Sequence, residues 1–240
     1  MHQHLLPSMP DYQLKIPRSL QILILIGAMG GILGVFLLIE NQALLASLLL
    51  IGAVVIGVIG ATLMVVINPQ GRERARQQMI DSVQWNGSEQ VFDVGCGNGI
   101  VLLAAAQHLT PGKGKALGID IWVEASGEQN AQTLRKNAAL EGVTDRVELQ
   151  SVDARKMPFA DASFDVIFAS LSLHHMGDGA DRQHAATEML RVLKPGGVIL
   201  IYDILPIASG AAKTLRGLGA SDVRRLSGGF MRTLRIQKAL

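Results

Sequence analysis

The sequence has a single cysteine, Cys96, so no disulfide can form within the chain, which fits a reducing compartment. The net charge is also small, since 22 Lys and Arg against 20 Asp and Glu leave a formal net charge of +2. No dense basic stripe is present, and we therefore predict no nucleic-acid partner. There is also no internal repeat and no low-complexity tract.

Two long stretches, residues 20–39 and 43–67, contain no charged residue. A helix of about 20 residues spans about 30 Å, which is the thickness of a bilayer's hydrocarbon core. Only residues 40–42 separate the two stretches, so they predict a tight antiparallel transmembrane hairpin with helices at 20–39 and 43–67.

The basic residues that flank these stretches predict the orientation of the hairpin. Lys15 and Arg18 precede the first stretch, and Arg72, Arg74 and Arg76 follow the second. The positive-inside rule then places both termini in the cytoplasm. The expectation is a multi-pass membrane protein with two helices, a lipid bilayer as partner and its catalytic domain in the cytoplasm.

Two other interpretations stay open: the first stretch could be a cleaved signal peptide, and both stretches could be buried core helices. Within the first stretch, Gly27, Gly31 and Gly34 line one helix face. Small residues in this pattern let helices approach closely. We favour packing of the two helices of one hairpin, and the alternative is a homodimer through the first helix.

The remaining sequence predicts a loose tail at residues 1–19, a juxtamembrane linker at 68–89 with a short amphipathic helix at 72–83, and a domain at 90–240. Strands and helices alternate in this domain. Predicted strands cover 91–94, 115–119, 147–151, 164–170, 198–203, 222–226 and 232–238, and predicted helices cover 99–107, 126–141, 181–193 and 208–218. This order favours an α/β fold with a largely parallel sheet, in which ligands bind beyond the carboxyl ends of the strands.

A glycine-rich turn follows the first strand of the domain, where residues 91–99 read VFDVGCGNG. Glycines permit a sharp turn and let a ligand approach the backbone at the start of a helix. In the dinucleotide fingerprint G-x-G-x-x-G/A, the third small residue would fall at Ile100. Here the third glycine is Gly99, so the turn departs from the NAD pattern.

Two acids follow the next two strands. Asp120 ends the second strand, where a carboxylate can accept hydrogen bonds from both ribose hydroxyls. Asp153 follows the third strand, where it can bind an adenine amino group while the backbone of Ala154 contacts the ring. The alternatives are a surface residue for Asp120 and a turn or helix-capping residue for Asp153.

From about residue 90 to its end, the chain resembles class I S-adenosylmethionine-dependent methyltransferases. It is most similar to the ubiquinone/menaquinone-type and small-molecule branch, which is methyltransferase domain 11-like. Five motifs carry the resemblance in the family's order. They are DVGCGNG at 93–99, GID at 118–120, DA and MPF within 153–159, FDVI with the following loop at 164–175, and LKPGG at 193–197.

The resemblance implies a Rossmann-like seven-stranded sheet and S-adenosylmethionine as cofactor, with no metal. Asp93 and the three glycines would surround its methionine end, while Ile121 and Trp122 would pack on the adenine. The implied cofactor-binding residues are Asp93, Gly95, Cys96, Gly97, Asn98, Gly99, Asp120, Ile121, Trp122, Asp153, Ala154 and Ser170.

His174 and His175 follow the fourth strand, where the family's acceptor pocket opens, and either could remove a proton from the acceptor. Alternatively, they only shape the loop. We predict methyl transfer to a small-molecule or lipid acceptor at the cytoplasmic membrane surface. The alternatives are a nucleotide-dependent membrane-bound oxidoreductase and a catalytically silent cofactor-binding scaffold.

Overall fold

The computed structural model describes residues 18–39, 43–67, 69–121 and 125–240. The chain divides into two compact units, of which one spans Gln13–Arg72 and the other contains Glu73–Leu240. Most of the predicted tail, the link at residues 40–42, and Trp122 lie outside the described residues.

Two long helices form most of the first unit, α1 (Arg18–Ile39) and α2 (Ala43–Ile67). They pack antiparallel, and the glycine face of α1 lies against α2. A Cβ on Gly27 would lie 2.5 Å from Ile56 Cγ2, and one on Gly34 would lie 3.1 Å from Leu50 Cγ. The glycines therefore serve packing between these two helices, and a homodimer through α1 stays a prediction that would need another face.

Within the described residues, no helix combines the length and hydropathy that crossing a bilayer requires. On that criterion the predicted transmembrane hairpin, with its multi-pass membrane localisation, is wrong. The prediction rested on the length of the uncharged stretches, and two uncharged helices that pack against each other, as α1 and α2 do, also produce such stretches.

The second unit is a seven-stranded sheet with helices on both faces, as the sequence predicts. After α3 (Pro69–Asp81), its elements follow in the order β1 (Gln90–Val94), α4 (Leu102–Ala106), β2 (Lys115–Asp120), α5 (Ala125–Leu140), β3 (Val147–Ser151), β4 (Phe164–Ser170), α6 (Gly179–Val192), β5 (Leu193–Ile204), α7 (Leu205–Gly217), β6 (Ala220–Ser227) and β7 (Met231–Lys238). The strand order is β3-β2-β1-β4-β5-β7-β6, and β7 runs antiparallel to both neighbours.

Apolar side chains bury the sheet on both faces, which explains why its central strands are almost continuously hydrophobic. Residues of α6 and α7 pack on one face, and residues of α4 and α5 pack on the other. Ala75, Met79 and Ile80 of α3 pack on the same face as α4 and α5. The apolar face of the predicted juxtamembrane helix is thus part of the domain core.

The strand order reverses between β1 and β4. The strands β2 and β3 lie on one side of β1, and β4 and β5 lie on its other side. At such a switch point the loops after β1 and β4 diverge and leave a crevice beyond their carboxyl ends. The predicted site residues lie at the carboxyl ends of β1, β2, β3 and β4 or in the loops after them, so the fold brings those residues to one edge of the sheet.

Candidate functional site

The glycine-rich loop after β1 is held against the end of β2. The backbone N–H groups of Gly95 and Cys96 both donate to the carbonyl of Ile119, at 2.8 and 3.0 Å. Gly95, Gly97 and Gly99 all have positive φ, at 71°, 52° and 88°. Residues with a Cβ rarely adopt this conformation, so the turn depends on glycine at all three positions.

The space around each glycine shows a different role. A Cβ on Gly95 would lie 2.3 Å from Ser172 Cβ, and one on Gly99 would lie 2.7 Å from Leu134 Cγ. These two glycines permit close packing within the domain. A Cβ on Gly97 would have no atom of the described residues within 4 Å. Gly97 therefore faces open space, where a ligand can approach the backbone.

Asp120 joins the end of β2 to this loop. Its Oδ2 accepts the N–H of Gly97 at 2.9 Å, and its Oδ1 accepts the N–H of Ile121 at 2.8 Å. A carboxylate oxygen can accept a second hydrogen bond, so both oxygens can still bind ligand hydroxyls. The structure thus places the predicted ribose-binding acid beside the glycine that faces open space.

Asp93 lies buried below the same loop, with 2% of its surface exposed. Burial, with the negative charge of Asp120, raises the pKa of Asp93 from 3.8 to about 7, and a hydrogen bond from the Leu102 backbone opposes the rise. Its Oδ1 has no hydrogen-bond partner among the described residues. A buried carboxylate oxygen without a partner can accept a hydrogen bond from a donor on a ligand.

Cys96 and Asn98 contribute to the loop through their backbones. Burial raises the pKa of the Cys96 thiol, with the charges of Asp93 and Asp120 adding to the rise. The thiol is therefore neutral and a poor nucleophile. The carbonyl of Asn98 accepts a hydrogen bond from Nδ2 of the buried Asn137 at 3.3 Å. This bond ties the loop to α5.

The predicted adenine site lies after β2 and β3. Ile121 is about half exposed, at 50%, and Ala154 is buried, while Trp122 lies outside the described residues. The side chain of Asp153 is paired with Arg155, whose hydrogen bond is the main cause of its lowered pKa. Asp153 is thus ionised and available as an acceptor at neutral pH.

On the other side of the loop, His174 lies in a short 3₁₀ turn (Leu173–His175) after β4 and contacts Asp203 at the end of β5. Nδ1 of His174 lies 2.9 Å from Oδ1 of Asp203, and its backbone N–H donates to Oδ2 at 3.2 Å. Asp203 is fully buried and also accepts the N–H of Ile204. Burial, with the neighbouring His174, lowers the pKa of His175.

Sequence reasoning missed Asp203, although its position carries a signal. Like Asp120, it is an acid at the carboxyl end of an apolar strand, in the sequence LIYDI. The partner histidine is 29 positions earlier in the chain. Only the adjacency of β4 and β5 brings the two side chains together.

Ser170 ends β4, and the chain then turns sharply at Leu171, which has a φ of 54°. This conformation is strained for leucine, and such strain concentrates at functional sites. The N–H of Leu171 donates to the carbonyl of Tyr202 at 2.7 Å, which holds the turn. Next to it, Ser172 is buried, and its Oγ has no partner within the part of the chain that the structure describes.

Comparison with known proteins agrees with this geometry. Residues 92–201 match the family model described as a methyltransferase domain. This segment is a methyltransferase domain. The matched residues run from β1 into β5 and so contain Asp93, Asp120, Asp153 and His174.

Two curated relatives are both methyltransferases. Over 161 residues the chain is 33% identical to 27-O-demethylrifamycin SV methyltransferase from Amycolatopsis mediterranei, covering 64% of this chain and 54% of that protein. Over 114 residues it is 34% identical to sterol 4-C-methyltransferase from Caenorhabditis elegans, covering 48% and 30%. The chain therefore spans about half the length, or less, of these relatives.

Among solved structures, the fold is similar to an S-adenosylmethionine-dependent methyltransferase from Aquifex aeolicus. The TM-score is 0.52 at 19% identity, and the match covers 71% of this chain and 98% of that one. Identity this low shows the fold alone.

The methyltransferase domain implies S-adenosylmethionine as its cofactor, and the residues present fit that molecule. Gly97 leaves the backbone open, Asp120 has free acceptor capacity, and Asp93 has a buried oxygen without a partner. The described part of the chain contains no group of three or more His, Cys, Asp or Glu that could hold a metal ion.

Proposed function

We propose that the chain transfers the methyl group of S-adenosylmethionine to a proton-bearing oxygen or nitrogen of a small or lipophilic acceptor. The observation that carries the proposal is the hydrogen bond from the N–H of Gly97 to Oδ2 of Asp120, at 2.9 Å, beside backbone that is open to a ligand. In this arrangement one carboxylate shapes the loop and keeps acceptor capacity for ribose.

The proposed work of the cofactor loop is positioning. The sulfonium of S-adenosylmethionine already carries a good leaving group, so orientation of donor and acceptor supplies most of the rate. The loop's N–H groups would hold the cofactor carboxylate, and Asp93 would face its ammonium. Asp120 would fix the ribose, and Asp153 with the backbone of Ala154 would bind adenine.

The pair of His174 and Asp203 supports an acceptor that loses a proton. Because the Asp203 carboxylate can only accept, Nδ1 of His174 carries the proton in this contact, and Nε2 is left to act as a base. The buried carboxylate would also stabilise the imidazolium that forms. His175, whose pKa is lowered, would remain neutral beside it.

A lipophilic acceptor is supported by the name of one relative, whose acceptor is a sterol. The two relatives methylate carbon and oxygen according to their names, so the fold leaves the acceptor atom open. The His174–Asp203 pair is the feature of this chain that favours oxygen or nitrogen.

The test uses the full chain with methyl-labelled S-adenosylmethionine and a panel of water-soluble and lipid-soluble phenols and amines. We expect labelled product from wild type and from Arg224→Ala, an exposed control, and little from Asp120→Ala. Labelling of carbon acceptors alone would contradict the proposed role of His174. Saturable binding of NADH without binding of S-adenosylhomocysteine would favour an oxidoreductase, and cofactor binding without turnover would favour a silent scaffold.

A further inference from the structure

Arg155 surrounds the carboxylate that the adenine site would use. The N–H of Arg155 and its Nε donate to Oδ1 of Asp153 at 2.8 and 3.0 Å. The guanidinium also contacts Oδ2, through Nε at 2.9 Å and Nη2 at 2.6 Å. One residue therefore contacts both oxygens of this carboxylate with its backbone and its side chain.

Arg155 is itself anchored to a second element. Its Nη1 donates to Oδ2 of Asp181 in the first turn of α6, at 3.0 Å. The start of α6 is held in turn by Asp178, which accepts the N–H groups of Ala180 and Asp181. The guanidinium thus bridges the loop after β3 to the N-terminus of α6 and limits the orientations open to Asp153.

The contacts with Arg155 leave acceptor capacity on Asp153. A carboxylate offers about four lone-pair sites. The four contacts come from only three N–H groups, because Nε–H is shared between the two oxygens, so about three of these sites are occupied. One further donor can therefore bind. Adenine presents a donor at its 6-amino group, whereas a 6-oxopurine presents an acceptor there that would face the carboxylate unpaired.

We propose that Arg155 is a positioning residue that fixes the Asp153 carboxylate to accept the 6-amino group of adenine, and so makes the cofactor site selective against 6-oxopurines. This inference rests on the proposed function. A rigid acceptor discriminates more strongly than a mobile one, because a mobile carboxylate can turn away from an unmatched carbonyl. Because Arg155 is held by Asp181, the position of α6 also contributes to this selectivity.

The pair is suited to substitution because it contributes little to folding. The side chains of Arg155 and Asp153 are 44% and 38% exposed. Exposed ion pairs of this kind contribute little to stability, so Arg155→Ala should fold like wild type. Arg224 forms a similar exposed pair with Asp222, also two residues apart, at the far edge of the sheet. Arg224→Ala is therefore the matched control.

The experiment measures the dissociation constants of S-adenosylhomocysteine and S-inosylhomocysteine for the full chain by calorimetry. Wild type and Arg224→Ala should prefer the adenosyl compound about 100-fold, the discrimination expected from one hydrogen bond to a charged acceptor. In Arg155→Ala this preference should fall about tenfold, with partial recovery in Arg155→Lys. Adding Arg155→Ala to Asp153→Ala should change nothing further, because the carboxylate is already absent.

An unchanged preference in Arg155→Ala would overturn this inference and leave the proposed function standing. Tighter binding of both compounds would also overturn it, because Arg155 would then compete with adenine for the carboxylate. If wild type failed to bind S-adenosylhomocysteine at all, the proposed function itself would fall, and this inference with it.

Discussion

Asp93 is a buried acid whose ionisation should make the ligand-free protein less stable as pH rises. Its pKa is raised from 3.8 to about 7 by burial and by the charge of Asp120. A raised carboxyl pKa stabilises the folded state below pH 4, and this contribution is lost as pH rises through 7. One pKa unit corresponds to about 1.4 kcal/mol, so the loss is about 4 kcal/mol for this fully buried group.

Asp93→Asn removes the charge and keeps an oxygen that can accept the hydrogen bond from Leu102. The free energy of unfolding of this variant, relative to wild type, should therefore rise by about 4 kcal/mol between pH 4 and pH 8 and then level off. Urea denaturation of the ligand-free chain, followed by circular dichroism at each pH, measures the difference. Asp145→Asn, at an exposed side chain, is the control substitution.

Parallel curves for wild type and Asp93→Asn over this whole pH range would contradict a raised pKa of Asp93. Parallel curves would mean that Asp93 is ionised at pH 4 in the folded state. Its Oδ1 would then have a partner within the protein and would not be free to bind the cofactor ammonium.

Three further outcomes are expected. The affinity of wild type for S-adenosylhomocysteine, measured by calorimetry, should rise with pH up to about 7 and be flat in Asp93→Asn, because the bound ammonium favours the ionised carboxylate. Gly97→Ala should lose about 1–2 kcal/mol of stability in thermal melts and bind the cofactor weakly, whereas Gly99→Ala should lose more because its methyl meets the core. Asp203→Asn should lower kcat at least about 100-fold and alter its pH profile, with an unchanged KM for S-adenosylmethionine.

Much of the fold follows from local sequence patterns. The bounds of β3 and β4 are as predicted, because each is an apolar or alternating run between clear turn residues. β5 begins at Leu193, five residues before the predicted start at Val198. Leu193 pairs with Phe164 across a bulge, and Gly196 takes a positive φ within the strand. The glycines at 196 and 197 indicate a turn in the sequence. Only the pairing of this segment with β4 shows that the chain continues as a strand with a bulge.

The grouping of the predicted cofactor-binding residues at one edge of the sheet could be predicted, because these residues lie in short motifs, each next to its own strand, whereas their roles stay a prediction. Asp203 could not be predicted, because a lone acid at a strand end is common and its partner histidine is distant in sequence. The apolar helices show a similar limit. Their bounds agree with the prediction to within two residues, but composition does not show what an apolar helix packs against.

The most direct test of the central claim is calorimetric titration of the full chain with S-adenosylhomocysteine, for wild type and Asp120→Ala. Loss of two hydrogen bonds from ribose to a charged acceptor should weaken binding at least about 100-fold. We expect saturable binding by wild type and near loss of binding in the variant. Equal affinity in the two proteins, or no binding by wild type, would contradict it.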